Sequence, residues 1–362
     1  MALEYQSTSF SSYGLIFIEL MAGISKSSRI LVTGANGYIA IWVVYTLLEQ
    51  GYTVRGTVRT EEKRKSLLSL FKDSVSEGRF EVFLVPDMTI TGAYDEAVKG
   101  LDAIVHVASP TTLGFDAING SNGFEPVVRA MVGIFESALK HAGPQLKRIV
   151  ATSSMSTTPE ASKNKLFDEA TLSDESSQEN TLAHIVAKYR PTKTKAEKAA
   201  WKFVEDHKTE INWDLTFINP SVTFGPILGE ATSPDKLGTS AAILYQVLMQ
   251  NKLPALGYTH LWWADVRDVA LAHVRALEAP EAGGQYFVTI AGAFDWQDWF
   301  DSANELGLPE LSFPQRGLSQ GFNHGNINVF DSDKVKKILG IGFRDRLTTV
   351  RDSIKDFQSR GW

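Results

Sequence analysis

The sequence predicts an α/β fold, a doubly wound parallel sheet with a smaller C-terminal lobe, and three observations predict it. Short, almost wholly apolar runs alternate with helical patterns from Ser28 to about Pro220. Strands without polar alternation are buried on both faces, as parallel sheets require. The first run ends at Gly34 and Gly37, directly before a helical pattern. Right-handed crossovers between such strands then place helices on both faces.

Arg29–Thr33 is the first strand, and Tyr38–Gln50 has helical periodicity until Gly51 stops it. Tyr52–Val58 reads as the second strand and Glu61–Lys72 as a helix. Phe80–Val85 is the third strand, Ala93–Val98 a short helix, and Ala103–Ala108 an apolar strand containing one histidine. Phe124–Ala142 is a long amphipathic helix closed by Gly143-Pro144. Arg148–Thr152 and Asp214–Ile218 are strands five and six, flanking a helix that contains Tyr189. Beyond Pro220 the order loosens. Helices are expected at Ser240–Gln250, Val266–Leu277, Trp296–Leu306 and Asp333–Leu339, with a strand at Gly284–Ile290. This is too little for an independent core, so residues 221–362 are read mainly as a substrate-binding lobe over the carboxyl edge of the sheet. Residues 28–220 form the Rossmann-type domain, some later segments being allowed to return to it. Pro159–Asn180, rich in Ser, Asn, Glu and Lys, reads as a surface excursion.

Residues 1–27 read as an extension outside the core. Their apolar stretch, Tyr13–Ile24, is interrupted by Glu19 and is shorter than the roughly 20 residues a membrane-spanning helix needs. The only charge near the start is Glu4, so the basic region of a secretory signal is missing. Across 362 residues, 43% are apolar and 22% charged, with a net charge of −6 and no basic-aromatic stripe. A globular protein without nucleic-acid or membrane partners is expected. Cysteine is absent, which excludes disulfides, thiolate metal sites and a thiol nucleophile, and fits a cytoplasmic location.

In Thr33-Gly34-x-x-Gly37-x-x-Ala40, the glycines let backbone approach a pyrophosphate at a helix N-terminus, and Ala40 permits close helix–sheet packing. Asn36, Tyr38 and Ile39 belong to the same turn. An NAD site carries an acidic residue after the second strand. Here Arg59 stands there and Lys63 a helical turn later, cations that suit a 2′-phosphate, although Glu61 and Glu62 beside them also fit a solvated helix start. NADP(H) is the expected cofactor. Tyr189 and Lys193 stand at i and i+4, hence on one helix face, where a cation stabilises a phenolate and makes the phenol a usable acid.

These motifs occur in a familiar order: the glycine turn, Val105-His-Val-Ala-Ser109, Ala151-Thr-Ser-Ser154, Tyr189-x-x-x-Lys193 and Asn219-Pro220. The chain resembles the extended short-chain dehydrogenases/reductases. Val58-Arg59-Thr60, Pro86-Asp87-Met88, Ala196-Glu-Lys-Ala-Ala-Trp201, Phe224-Gly-Pro226 and Asp265-Val-Arg-Asp-Val-Ala-x-Ala-His273 narrow the resemblance. It is to the dihydroflavonol-reductase-like branch and, within it, fungal NADPH-dependent aldehyde and ketone reductases, from about Ser28 to the C-terminus. The resemblance implies a small carbonyl substrate and a monomer or homodimer. It implies that Tyr189 protonates the carbonyl oxygen, that Lys193 holds the nicotinamide ribose and tunes the tyrosine, and that Ser154 hydrogen-bonds the substrate oxygen. Thr152 and Ser153 compete for that last role or line the cofactor. Asp87 and Met88 match adenine contacts, and Val107, Ala108 and Ser109 match cofactor-lining positions. Pro220 and Thr223 would lie near the nicotinamide, and Ser240 at the phosphate end.

Two departures stand out. Thr192 replaces the usual serine before the lysine, and Pro191 predicts a helix that begins close to Tyr189. His106, inside an apolar strand, reads as a core or cofactor-wall residue rather than a base. The histidines and carboxylates show no metal-ligand spacing. Trp262, Trp263, Phe115, Phe224 and Tyr245 fit a substrate pocket and core packing equally. Alternatives to the reductase are an extended-type epimerase, dehydratase or hydroxysteroid dehydrogenase, and a non-catalytic NADP-sensing protein.

Overall fold

A computed structural model describes residues 23–110, 124–158, 182–252, 261–308 and 332–362, with backbone alone for 182–188. Residues 1–22, Phe115 and the Pro159–Asn180 excursion lie outside the described residues.

Seven parallel strands form the main sheet: β1 (Arg29–Thr33), β2 (Thr53–Val58), β3 (Phe80–Leu84), β4 (Ala103–His106), β5 (Arg148–Thr152), β6 (Asp214–Pro220) and β9 (Tyr286–Thr289). Their order is β3-β2-β1-β4-β5-β6-β9, so the chain reverses its direction of winding between β1 and β4. A crevice opens at such a reversal, outside the carboxyl ends of the strands. Alternation along β1 shows the double winding: Ile30 and Val32 enter one core cluster and Leu31 the other. The first face is covered by α1 (Tyr38–Glu49) and α7 (Val266–Glu278), through Val44, Leu47, Ala270 and Val274. The other is covered by α4 (Glu125–His141) and α5 (Leu182–Asp206), through Ile134, Phe135, Ala196 and Ala200.

The sheet absorbs more of the chain than expected. β9 pairs with β6, Ile218 opposite Phe287, and α7 packs on α1, so Gly284–Ile290 and Val266–Leu277 belong to the main layer rather than the lobe. Ile24 is buried in the first cluster, so the core begins inside the stretch assigned to an extension.

Helix three of the sequence reading is absent. Residues 93–98 form turns, because the carbonyls of Ala97 and Lys99 accept from the buried Arg55 guanidinium (2.8 and 2.9 Å), which also meets Glu81 at 2.8 Å. The helix after β2 is broken at Phe71 into α2 (Glu61–Leu70) and α3 (Lys72–Ser76). The last expected helix is a π-turn, Val335–Leu339, ended by Gly340 at φ +64°.

The C-terminal lobe has a core of its own, contrary to expectation. A second sheet of β7 (Val222–Phe224), β8 (Leu261–Asp265) and β10 (Gly292–Phe294) packs against α6 (Thr239–Gln250), α8 (Trp296–Glu305) and α9 (Arg346–Ser359). Phe224, Trp263, Phe294, Trp296 and Trp299 meet edge to face, with Phe224 and Trp299 centroids 4.8 Å apart. Trp263 and Phe224 are therefore core residues, and Tyr245 packs on Phe357 and Trp362.

Arg148 fastens β5 and β6 to the end of α7. Its guanidinium, nearly fully buried, pairs with both carboxylate oxygens of Asp214 (2.6 and 2.8 Å). It also donates to the carbonyls of Ala276, Ala279 and Pro280 at the end of α7. Removing one member of a buried ion pair costs about 3–5 kcal/mol, because the other charge stays desolvated. Arg148→Met is expected to lower the unfolding free energy by that amount in urea titrations; a loss below about 1 kcal/mol would show that water reaches the pair.

Candidate active site

Parallel strands bring the ends of β1 to β6 to one edge, and the residues singled out in sequence gather there. Thr33 ends β1 opposite His106. Its hydroxyl contacts His106 Nδ1 at 2.9 Å and accepts the Ala108 N–H at 3.1 Å, joining the two sides of the reversal. The next residue, Gly34, adopts φ +62°, and a Cβ there would lie 3.1 Å from the Ala108 Cβ. A side chain there would be strained by the backbone angle and would have to push Ala108 aside. The Gly34 and Ala35 amides are held by Thr57 at the end of β2.

Gly37 caps α1 with no side-chain hydrogen bond, and the first turn of α1 has no acidic residue. An N-terminus left in this state offers amide donors and positive potential to an anion. Beside it a cavity of about 90 Å³ is lined by Asn36, Tyr38, Gly229, Lys236, Gly238 and Ala241. Ser240 lies in the same first turn of α6. The Tyr38 hydroxyl donates to the Gly225 carbonyl at 2.7 Å. Burial, then Asp265, pushes that phenol above its ordinary pKa, so it stays protonated.

Arg59 and Lys63 are exposed and form no ion pair with any described residue. Asp87, after β3, is exposed, and hydrogen bonds from the Thr89 hydroxyl and amide hold its carboxyl below the usual range. Met88, Val107, Ala108 and Ser109 are half-buried along the same edge. Together the glycine that a Cβ would block, the open helix N-terminus and two unpaired cations fit a dinucleotide bearing a 2′-phosphate.

Lys193 is buried, donates to Ser109 Oγ at 3.1 Å, and lies 6.0 Å from the centre of the Tyr189 ring. Tyr189 itself is half-buried. The helix does not start near Tyr189: α5 runs through Pro191, which faces solvent.

The three hydroxyls after β5 differ in what their protons do. His273 Nδ1 meets the carbonyl of Val269 at 2.8 Å and so carries its hydrogen there; its Nε2 then accepts from Thr152 Oγ1 at 2.7 Å. Ser153 donates to Glu197. Ser154 Oγ accepts from both the amide and the hydroxyl of Ser156 (3.3 and 3.0 Å), which leaves its own hydrogen for another acceptor. Sequence reasoning quoted Asn219 and Glu197 within motif strings but gave them no role beside these hydroxyls; the signal was Glu197 standing four residues after Lys193. Thr223, at the start of the lobe, is buried with its hydroxyl on the Ser221 carbonyl, and the neighbouring Pro220 closes β6.

Residues 30–291 match the model of the NAD dependent epimerase/dehydratase family. The chain belongs to that family. Among its relatives, a ketoreductase of Aspergillus niger, azaE, is 35% identical, covering 91% of this chain and 97% of its own. The NADPH-dependent methylglyoxal reductase GRE2 of Saccharomyces cerevisiae is 31% identical, covering 90% and 96%. The solved structure of yeast methylglyoxal/isovaleraldehyde reductase Gre2 complexed with NADPH superimposes with a TM-score of 0.75 at 29% identity, over 92% of this chain and 99% of that one. The epimerase/dehydratase match ends at residue 291, so the last helices and the π-turn lie beyond it. No described helix is long and apolar enough to cross a membrane, and no metal-binding cluster occurs among the described residues.

The two buried histidines give the fold a pH signature. Burial, then the Lys193 charge, depresses His106 to about 3. Burial depresses His273 to about 4, partly offset by the Val269 carbonyl. His106 is thus held neutral inside the strand. Between the unfolded value near 6.5 and these folded values, the unfolded chain binds protons that the folded chain refuses. Stability therefore falls as pH drops below about 6.5, by about 1.4 kcal/mol per pH unit for each histidine. His273→Gln should remove one such contribution from the slope between pH 6.5 and 5 in urea unfolding; an unchanged slope would mean that His273 is not kept neutral.

Proposed function

We propose that this chain is an NADPH-dependent carbonyl reductase that converts aldehydes and ketones to alcohols. The observation that carries the reading is the uncommitted hydrogen of Ser154, beside a helix presenting Tyr189 and Lys193 at the same edge as the glycine turn. The ketoreductase and methylglyoxal reductase relatives support it.

The chemistry a bound NADPH supplies is hydride for the carbonyl carbon. The chain's part is to bind, orient and protonate. Ser154 donates to the carbonyl oxygen and stabilises the negative charge that grows there. Tyr189 gives that oxygen its proton, and the Lys193 ammonium stabilises the phenolate that remains. Lys193 also holds the nicotinamide ribose, next to Ser109. Gly34, Asn36, Gly37, Tyr38 and Ile39 offer backbone to the pyrophosphate, with Ser240 at the phosphate end. Arg59 and Lys63 grip the 2′-phosphate, and Asp87 and Met88 face adenine. Val107, Ala108, Thr152, Ser153, Pro220 and Thr223 line the nicotinamide half. We place the enzyme in the cytoplasm as a monomer or homodimer; its lack of cysteine suits a reducing compartment.

Tyr189→Phe is expected to lower kcat for a panel of aldehydes, ketones and a keto ester by about 10²–10⁴, read as NADPH oxidation, with NADPH affinity kept. Turnover equal to wild type would remove Tyr189 as the acid. No turnover by the wild type, despite NADPH binding, would remove the reductase reading. For the cofactor, Arg59→Ala should weaken NADPH binding about ten- to hundred-fold, the worth of a charge-assisted hydrogen bond, while NADH is little affected. Equal weakening of both would show that Arg59 does not read the 2′-phosphate.

A further inference from the structure

The hydrogen bonds around Glu197 join three separate pieces of chain. Its Oε2 accepts from the hydroxyls of Ser153 and Thr157 and from Asn219 Nδ2, the last two at 2.7 and 3.3 Å. Ser153 follows β5, Thr157 closes the short turn Met155–Thr157, and Asn219 lies near the end of β6. Asn219 Nδ2 also faces the Ser154 carbonyl (3.2 Å) and Thr157 Oγ1 (2.9 Å). Three acceptors around one nitrogen fix the amide orientation. Thr157 Oγ1 also reaches the Ser154 carbonyl, at 2.7 Å.

Ser154 is therefore bracketed. Its carbonyl is held by Asn219, which also meets the Glu197 carboxylate, and its neighbour Ser153 is held by Glu197 directly; the single Thr157 hydrogen is shared between that carbonyl and Glu197 Oε2. Glu197 stands one helical turn after Lys193 and two after Tyr189, so all three rise along one side of α5 at about 6 Å per turn-length step. A single carboxylate thus ties the turn that bears Ser154 to the helix that bears Tyr189 and Lys193. An ionised carboxylate suits this task because it only accepts, and every group facing Oε2 is a donor.

We propose that Glu197 is a positioning residue, which sets the Ser154 hydroxyl in register with Tyr189 and Lys193 without touching the substrate. The proposal rests on the reductase reading and deepens it. In a reaction limited by alignment, displacement of one group by about 1 Å costs up to about a hundred-fold in rate. The loss acts through Ser154 alone, so it vanishes where Ser154 contributes nothing.

The experiment is a double-mutant cycle on the whole chain. Glu197→Ala is expected to lower kcat for carbonyl reduction about ten- to hundred-fold, to leave the NADPH Kd nearly unchanged, and to cost little more in a Ser154→Ala background. Glu197→Gln, which keeps an acceptor oxygen, restores most of the rate. Thr157→Val is gentler on folding and removes one of the three donors; its smaller loss should also disappear in Ser154→Ala. Equal losses in both backgrounds, or no loss at all, overturn the proposal. So does a crystal structure of Glu197→Ala, or of Thr157→Val if the first does not fold, in which Ser154 keeps its place against Tyr189. That structural readout is independent of turnover, whereas an inactive wild type would overturn only the reductase reading.

Discussion

The approach of Gly34 to Ala108 is the constraint on which the rest of the site depends. Two parallel strands leave the sheet at neighbouring positions and turn to opposite faces, so their loops must part at that point. Thr33 bridges them with its hydroxyl while Gly34, without a Cβ, lets the first loop turn away. The N-terminus of α1 opens into the space this creates. Arg59, Asp87, Val107 and Ser154 follow strand ends that parallel pairing brings to the same edge.

Buried charges hold the layers around the sheet together. Arg148 and Asp214 lock β5 and β6 to the end of α7. At the start of α7, Asp265 caps the helix through the Arg267 amide, and its carboxylate also takes Arg267 Nη2 and the Thr349 hydroxyl at 2.7 Å. Arg267 reaches on to Asp352, and Asp268 pairs with Arg344. The Asp-Val-Arg-Asp string thus anchors α9 and the residues before it to the layer that covers the sheet. Asp356 on α9 and Arg360 just after it in turn bind backbone at Ile227 and Gly229, beside the glycine turn. The ties at Asp265, Asp268, Asp356 and Arg360 join the lobe to the layer that covers the sheet.

The strands and the glycine turn were legible because burial on two faces writes near-continuous apolar runs, and positive-φ turns select glycine. The lobe was not, for two reasons. Its strands are three to five residues long, too short for periodicity, and its core is built from aromatic contacts between segments far apart in sequence. The apolar spacing of α9, Leu347, Val350, Ile354 and Phe357, was present but diluted by polar neighbours. Among the hydroxyls after β5, no sequence rule could separate Ser154 from Thr152 and Ser153. The distinction lies in who receives each proton, and His273 and Glu197 come from distant helices.

Pro191 shows how tertiary packing overrides a local rule. An interior proline removes one helical donor and costs about 3 kcal/mol, which predicted a helix starting beside Tyr189. Yet α5 continues for 25 residues across it. Pro191 itself is exposed, while Thr192, Lys193, Ala196 and Ala200 are buried against the sheet layer. Burial of the apolar face, with Ala196, Ala200 and Phe203 in the core cluster, offsets the missing bond. The hydrogen bond from Lys193 to Ser109, and those from Glu197 to three elements, hold the helix from the same side. The residue pair that looked least secure in sequence is held from the side of α5 that faces the sheet, and the proline sits where solvent tolerates it.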